Sequence, residues 1–205
     1  MVQPIQAERN TSRDPAKKEL LTVSIVIVAM VLIASAAGAF YFESVRNHSA
    51  YHVATATQSN VNRASGSNMT KTSSTYSPGG NYTITSSSVA EYAKFVNGSS
   101  NPKGTIMLGS IEFSTQAEAT SYYNAIYSNE SASLAALNVT VHNGTYGGFS
   151  YFNATFQGGS TFPEINLYEY IAVGHAGRFL FVIVDVNVPM TNPKLILDDQ
   201  INAMS

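Results

Sequence analysis

Few side chains in this sequence have the type and spacing that metal binding or nucleophilic catalysis requires. His48 and His52 are four residues apart, so a helix would place both imidazoles on one side as metal ligands, but no third ligand follows. Ser100 and Lys103 match the S-x-x-K motif of penicillin-recognising enzymes, yet Pro102 disfavours the helix that this motif needs. We therefore predict no metal site and no catalytic residue.

The carboxylates offer one unusual position. Asp185 interrupts the apolar run FLFVIVDV on the same side as Phe181 and Ile183. Because the run ends at the next residue, we expect this carboxylate to reach solvent, and a functional role is the alternative. The other carboxylates lack the spacing of the paired acids found in hydrolases. The sequence thus favours a protein that is not an enzyme and needs no cofactor.

The composition narrows the class of protein further. The chain has 205 residues, a formal net charge of -2 and only 12% charged residues, which does not fit a nucleic-acid-binding protein. Cysteine is absent, so disulfides, thiolate metal ligands and thiol nucleophiles are excluded. The length is sufficient for one compact domain with attachments.

An uncharged apolar segment occupies residues 20–42. As a helix it would be roughly 34 Å long, which is enough to cross the hydrocarbon core of a lipid bilayer. Cations cluster before it, from Arg9 to Lys18, whereas Arg46 alone follows within a comparable distance. The positive-inside rule therefore predicts a cytoplasmic tail at 1–19, a signal anchor at 20–42 and an extracellular remainder.

Two other interpretations of this segment are open. Ala37-Gly38-Ala39 is an acceptable signal-peptidase site, and cleavage there would give a secreted protein. The basic residues before the apolar helix also resemble archaeal pilin-type leaders, which would make the chain a filament subunit. Glu19 departs from that pattern, because it occupies the place where the family has a small residue. The long polar leader favours a retained anchor.

The part of the chain after residue 42 is rich in acceptors for N-linked sugars. Asn-x-Ser/Thr sequons occur at Asn47, Asn68, Asn81, Asn97, Asn129, Asn138, Asn143 and Asn153. With its anchor, low charge and lack of cysteine, the sequence from 20 to 205 resembles the cell-surface glycoproteins of thermoacidophilic archaea. That resemblance implies an anchored glycoprotein on the outside of the cell.

Residues 43–88 are predicted to be a juxtamembrane stalk. From Ala54 to Ser88 the segment is dominated by Ser, Thr and Asn and shows little apolar periodicity. Such a segment is not expected to bury enough apolar surface to offset the entropy lost on ordering. The folded extracellular domain is therefore predicted over residues 89–205.

Local motifs predict the elements of this domain. Capping boxes at Ser88–Glu91 and Thr115–Glu118 begin helices, and Asn143-Gly144 and His175–Gly177 are turn signals between strands. The last apolar run predicts a central strand. The predicted elements are a helix at 89–96, a strand at 104–113, helices at 115–127 and 131–137, strands at 139–142, 145–156, 165–173 and 179–186, and a helix beginning at Asn192-Pro193.

This order predicts an α+β fold, in which an N-terminal transmembrane helix precedes an antiparallel five-stranded sheet with helices packed mainly on one face. The order of the elements in the domain resembles the PsbP-like arrangement. A fold of this kind does not by itself indicate an activity.

An aromatic row is the candidate interface. If the apolar residues of the 165–173 strand face the core, alternation directs Tyr168 and Tyr170 outward. Parity in the preceding strand places Phe149 and Tyr151 beside the sequon at Asn153. Such a row would suit a protein partner or a stacked sugar, unless the stalk or the 89–96 helix covers it.

These features favour a single-pass, membrane-anchored extracellular glycoprotein that acts as a non-catalytic surface or accessory subunit of a membrane or cell-envelope assembly. Its expected contacts are the lipid bilayer and a protein partner. The alternative is an anchored ligand- or carbohydrate-binding module, which a deep apolar pocket among the strands would favour. A secreted or filament-forming subunit is a further alternative. An enzyme would require a buried carboxylate beside a second polar group.

Overall fold

The computed structural model of this chain describes residues 51–78, 83–95, 102–158 and 168–205. The predicted tail and transmembrane helix, together with His48, Ser100 and the sequons at Asn47, Asn81 and Asn97, lie outside these residues. Within them, no helix is both long enough and apolar enough to span a membrane.

Three helices and seven strands follow one another in the described residues. Their bounds are Gln58–Ser65 (α1), Thr70–Ser77 (β1), Ile84–Phe95 (β2), Pro102–Phe113 (β3), Gln116–Ala136 (α2), Val141–Tyr146 (β4), Phe149–Gln157 (β5), Tyr168–Ala176 (β6), Phe179–Val186 (β7) and Pro193–Met204 (α3).

The helix starts follow from their capping residues. The side chain of Thr115 accepts a hydrogen bond from the N–H of Glu118, and Asn192 accepts one from Leu195, so both predicted starts are confirmed. α2 then continues without a break to Ala136, and the separately predicted helix at 131–137 forms its last turns. Thr57 forms a capping box that the sequence analysis did not include, and it begins the unpredicted helix α1.

All seven strands form one antiparallel sheet in the order β1-β2-β3-β7-β6-β5-β4. The prediction of a five-stranded sheet is wrong, because β1 and β2 arise from residues assigned to a stalk and a helix. β7 is the apolar run FLFVIVDV and lies fourth of seven, so its predicted central position is confirmed.

Residues 84–95 form strand β2 instead of the end of a stalk followed by a helix. Ala90 pairs with Leu108 and Tyr92 with Ile106 across β2 and β3, and these side chains are buried on one sheet face. This cross-strand packing outweighs one local capping motif. β1 has exposed side chains along almost its whole length, so backbone pairing with β2 holds it at the sheet edge.

The first predicted hairpin is present with its turn displaced. β4 runs through Asn143-Gly144, and the chain turns at Gly147-Gly148, where φ is 54° and 81°. A two-residue turn with positive φ at both positions suits the right-handed twist of paired strands, and glycine adopts it without a Cβ penalty. The second hairpin turns at Gly177, as predicted.

Helices cover both faces of the sheet, which corrects the prediction of helices on mainly one face. One face packs against α1, α3 and residues 51–57, with buried side chains that include Leu108, Phe149 and Phe181. The opposite face packs against α2 through a second core that includes Phe113 and Phe152. Strands covered on both faces have apolar residues at odd and even positions alike.

A clamp holds residues 51–57 to α3. The side chain of Gln200 accepts a hydrogen bond from Ala56 N–H at 3.0 Å and donates one to the Ala54 carbonyl at 2.9 Å. The Tyr92 hydroxyl donates to the Ala56 carbonyl at 2.8 Å. The extended segment therefore has its backbone groups satisfied although it belongs to neither a helix nor a strand.

We predict that replacing Gln200 with Leu destabilises the fold by about 2 kcal/mol, since it leaves the buried Ala56 N–H and the part-buried Ala54 carbonyl without this partner. Chemical denaturation followed by circular dichroism measures the change. Asn202→Leu, at an exposed position on the same helix, is the matched control and should stay within about 0.5 kcal/mol of the wild type. Equal effects of the two substitutions would contradict the clamp.

Candidate functional site

A cavity of about 200 Å³ lies between the sheet and the C-terminal half of α2. Its lining is mainly apolar, with four acidic residues and no lysine or arginine among the described residues that form it. The lining consists of Glu91, Thr105, Met107, Glu130, Leu134, Ala154, Phe156, Glu169, Tyr170, Ile171, Val184, Asp185 and Val186.

The cavity exists because α2 fills only one end of its sheet face. In its N-terminal half, Ala119 and Ile126 pack with Phe113 and Phe152 in a continuous core. Further along the helix, Glu130 and Leu134 face the sheet across the open space. The α2 face of the sheet is therefore solid at one end and hollow at the other.

Two acidic side chains line this cavity from opposite walls. Glu130 is on α2 and only 3% exposed, and Glu169 is half-buried on β6. Oε1 of each is buried and has no hydrogen-bond partner among the residues that the structure describes. Buried polar atoms without a partner are rare in native folds, so both atoms require an explanation.

Burial shapes the protonation of this pair. Loss of solvent raises the pKa of Glu130, and burial also raises the pKa of Glu169 to about 7, with the charge of Glu130 as a further cause. Burial is the main cause of both increases in pKa, since a negative charge is costly to hold in apolar surroundings. Near neutral pH Glu130 and Glu169 are therefore not both fully ionised.

Asp185 is 0% exposed, so the prediction that its carboxylate reaches solvent is wrong. Its Oδ1 accepts a hydrogen bond from Val188 N–H at 3.1 Å, which fixes the turn after β7. Burial raises the pKa of Asp185 to about 8; the Val188 N–H opposes this rise and the charge of Glu169 adds to it. Alternation along β7 directs the side chain to the face opposite Glu130, so Asp185 acts on the cavity mainly through its charge.

The predicted aromatic interface is not a surface. Phe149 and Tyr170 are 0% and 2% exposed, and Tyr151 and Tyr168 are half-buried against the same core. Tyr51 packs its ring edge on Phe149 at 5.3 Å between centroids. The four side chains lie on one sheet face, as alternation indicated, but this face is a core covered by residues 51–57 and α3 and is not directed outward.

The described sequons differ in accessibility. Asn68, Asn129, Asn138 and Asn143 are exposed, whereas Asn153 is half-buried on β5 between two paired strands. Because a sugar-bearing asparagine must project into solvent, the first four positions fit the predicted modification better than Asn153 does.

The histidines and acids of the described residues do not assemble a metal centre. No group of three or more His, Cys, Asp or Glu side chains within the described ranges is placed to hold a metal ion. His52 and His142 are exposed, and His175 packs on the Tyr123 ring at 4.5 Å, where burial lowers its pKa. These side chains contribute nothing to the cavity.

Sequence reasoning missed the two cavity carboxylates, although both had a signal. Glu130 lies four residues after Ile126 and four before Leu134, so it shares the apolar stripe of a helix that continues past residue 127. Glu169 has the same parity as Ile171, which was assigned to the core. In each case an acid occupies a position that an apolar residue would ordinarily hold.

The cavity lies at the end of the sheet opposite the entry of the chain. Tyr51 contacts Phe149 and Phe179, the first residues of β5 and β7. The cavity instead involves Phe156, the next-to-last residue of β5, and Val186, the last residue of β7. A strand of this length spans roughly 20 Å, so the two sites are well separated along the domain.

No protein-family model matches this sequence, and no curated protein is significantly similar to it. Among solved structures, the extracellular domain of PknH from Mycobacterium tuberculosis is similar to this chain with a TM-score of 0.47 and 10% sequence identity, over 71% of this chain and 90% of that chain. The function of the site must therefore be inferred from its own geometry.

We predict that folding stability falls as the pH rises from about 5 to 8. Because the folded-state pKa of Glu169 lies above its ordinary value of 4.5, the protonated group favours the fold below about pH 4.5, and this contribution is lost as the pH rises through about 7. Allowing for partial exposure, the loss is on the order of 1–3 kcal/mol.

Denaturation at a series of pH values measures this slope. Glu169→Gln should make this slope shallower, because the amide is neutral throughout, while the part carried by the raised pKa of Asp185 remains. Glu112→Gln is the control: its carboxylate pairs with Arg178 at 2.8 Å at the other end of the sheet, so its loss should lower stability without removing the slope. A wild-type slope retained in Glu169→Gln would show that Glu169 does not carry the effect.

Proposed function

We propose that this chain is a ligand-binding module for small apolar molecules, displayed on the outer side of a membrane. The observation that carries the proposal is the cavity between the sheet and α2, whose walls combine apolar side chains with the unpartnered carboxyl oxygens of Glu130 and Glu169. Apolar concave sites with a few convergent polar groups are the usual form of small-molecule sites in proteins.

The size of the cavity limits the ligand. At about 200 Å³ it is smaller than the roughly 300–1,000 Å³ of drug-sized sites, but larger than the roughly 150 Å³ that accommodates a benzene molecule in an engineered protein core. A single ring or a branched chain with one short substituent matches this volume. An oligosaccharide does not, so carbohydrate binding is the weaker version of the proposal.

Anchoring is the second part of the proposal, and the sequence supports it. The apolar segment at 20–42 follows a cluster of cations, and the described sequons are largely exposed. Because Tyr51 is already packed in the domain, only residues 43–50 connect it to the proposed anchor, a reach of at most about 30 Å.

A protein partner in a membrane or envelope assembly belongs to the same proposal. A small anchored domain that binds a ligand on the outside needs a further component to respond to ligand occupancy. The chain would thus be an accessory subunit, as the sequence indicated, with its specificity located in the cavity.

We expect Val184→Phe to fill the cavity and weaken ligand binding by at least about tenfold, since Val184 lines the cavity wall. Ligand-observed NMR with toluene, benzyl alcohol and benzylamine measures binding to the full chain in nanodiscs. Val182→Phe, on the same strand and face but away from the cavity, is the matched control and should bind as the wild type does. If the wild type binds none of the three probes, the binding proposal fails.

Mass spectrometry of the native protein tests the outer location. We expect an intact N-terminal region, sugar on peptides that contain Asn68, Asn129, Asn138 or Asn143, and little or none on Asn153. Protease added to whole cells should digest residues 51–205. Protection of these residues until lysis would place the domain inside and overturn the proposal.

A further inference from the structure

We propose that the cavity selects an organic ammonium ion, a primary amine on an apolar body of about one ring, with its charged group held between Glu130 and Glu169. This inference rests on the proposed binding function and specifies the class of ligand.

The position of the two carboxylates is the first reason. Glu130 projects from the helix wall and Glu169 from the sheet wall, and both line the same space. Their Oε1 atoms lack hydrogen-bond partners among the described residues, and Glu130 is only 3% exposed. An ammonium group carries three N–H donors and no acceptor, so it can satisfy both oxygens at once.

The absence of a counterion in the lining is the second reason. None of the described lining residues is a lysine or arginine, so the acids face the cavity without an internal cation. A divalent metal ion is a poor occupant, because calcium and magnesium require about six or more oxygen ligands and the described residues contain no group of three acidic or histidine ligands. The apolar remainder, including Met107, Leu134 and Ile171, matches an organic body.

Proton release should accompany binding. Glu169 faces Glu130 from α2 and Glu91 from β2 across the cavity. Asp185 lies on the adjoining strand β7, and Tyr170 follows Glu169 on β6 itself. The raised pKa values of Glu130 and Glu169 mean that the empty cavity retains protons, whereas a bound cation favours the ionised carboxylates. Cation affinity should therefore increase as the pH rises from about 5.5 to 7.5.

Isothermal titration of the full chain in nanodiscs tests this with two probes of one size, benzylamine and benzyl alcohol. At about pH 7.5 we expect benzylamine to bind about tenfold or more tightly than benzyl alcohol, with the advantage reduced at about pH 5.5. Buffers of different ionisation enthalpy should reveal proton release on benzylamine binding alone. Glu130→Gln and Glu169→Gln should abolish the preference, and Glu112→Gln should retain it.

The outcomes separate this inference from the function on which it rests. Equal affinity for both probes, without proton release, overturns ammonium selection and leaves a cavity for neutral ligands. Binding of neither probe overturns both proposals. If a glutamine variant fails to fold by circular dichroism, the pH dependence and proton release of the wild type decide the question.

Discussion

The clamp between Gln200 and residues 54–56 is the interaction on which the arrangement of the domain depends. It holds residues 54–56 against α3, and Tyr51, in the same extended segment, packs on Phe149 at the start of β5. By satisfying an N–H and a carbonyl of an extended segment, one glutamine lets irregular chain act as part of a covering layer. The clamp also fixes the end of the sheet at which the chain enters.

With both faces of the sheet covered, the packing between the sheet and its covering layers differs from one end of the strands to the other. The end near the chain entry is packed through Phe113, Phe152 and Phe181, and the far end is left open under the last turns of α2. Close-packed interiors leave few voids, so a hollow of this volume lined partly by acids is unusual in a core. The hollow lies at the end of the sheet remote from Tyr51.

The sequence predicted much of the domain from α2 onward but misassigned its start. Thr115, Asn192 and the FLFVIVDV run carry strong local signals, and the structure confirms them. β1 and β2 have no such signal, since their Ser- and Thr-rich residues become strands through pairing with β3 and with each other. Pairing between residues distant in sequence is invisible to composition and to capping motifs, which explains the erroneous stalk and helix.

The site was missed for a different physical reason. Periodicity assigns each position to one face of a helix or strand. An acid on an apolar face is then assumed to lie near the end of the element and to reach solvent, as was expected of Asp185. Burying an unpaired carboxyl costs free energy that an apolar residue such as Leu at position 130 would avoid. Because Glu130 and Glu169 incur this cost from opposite walls of one cavity, the two residues are better explained together than separately, by a ligand that both of them contact.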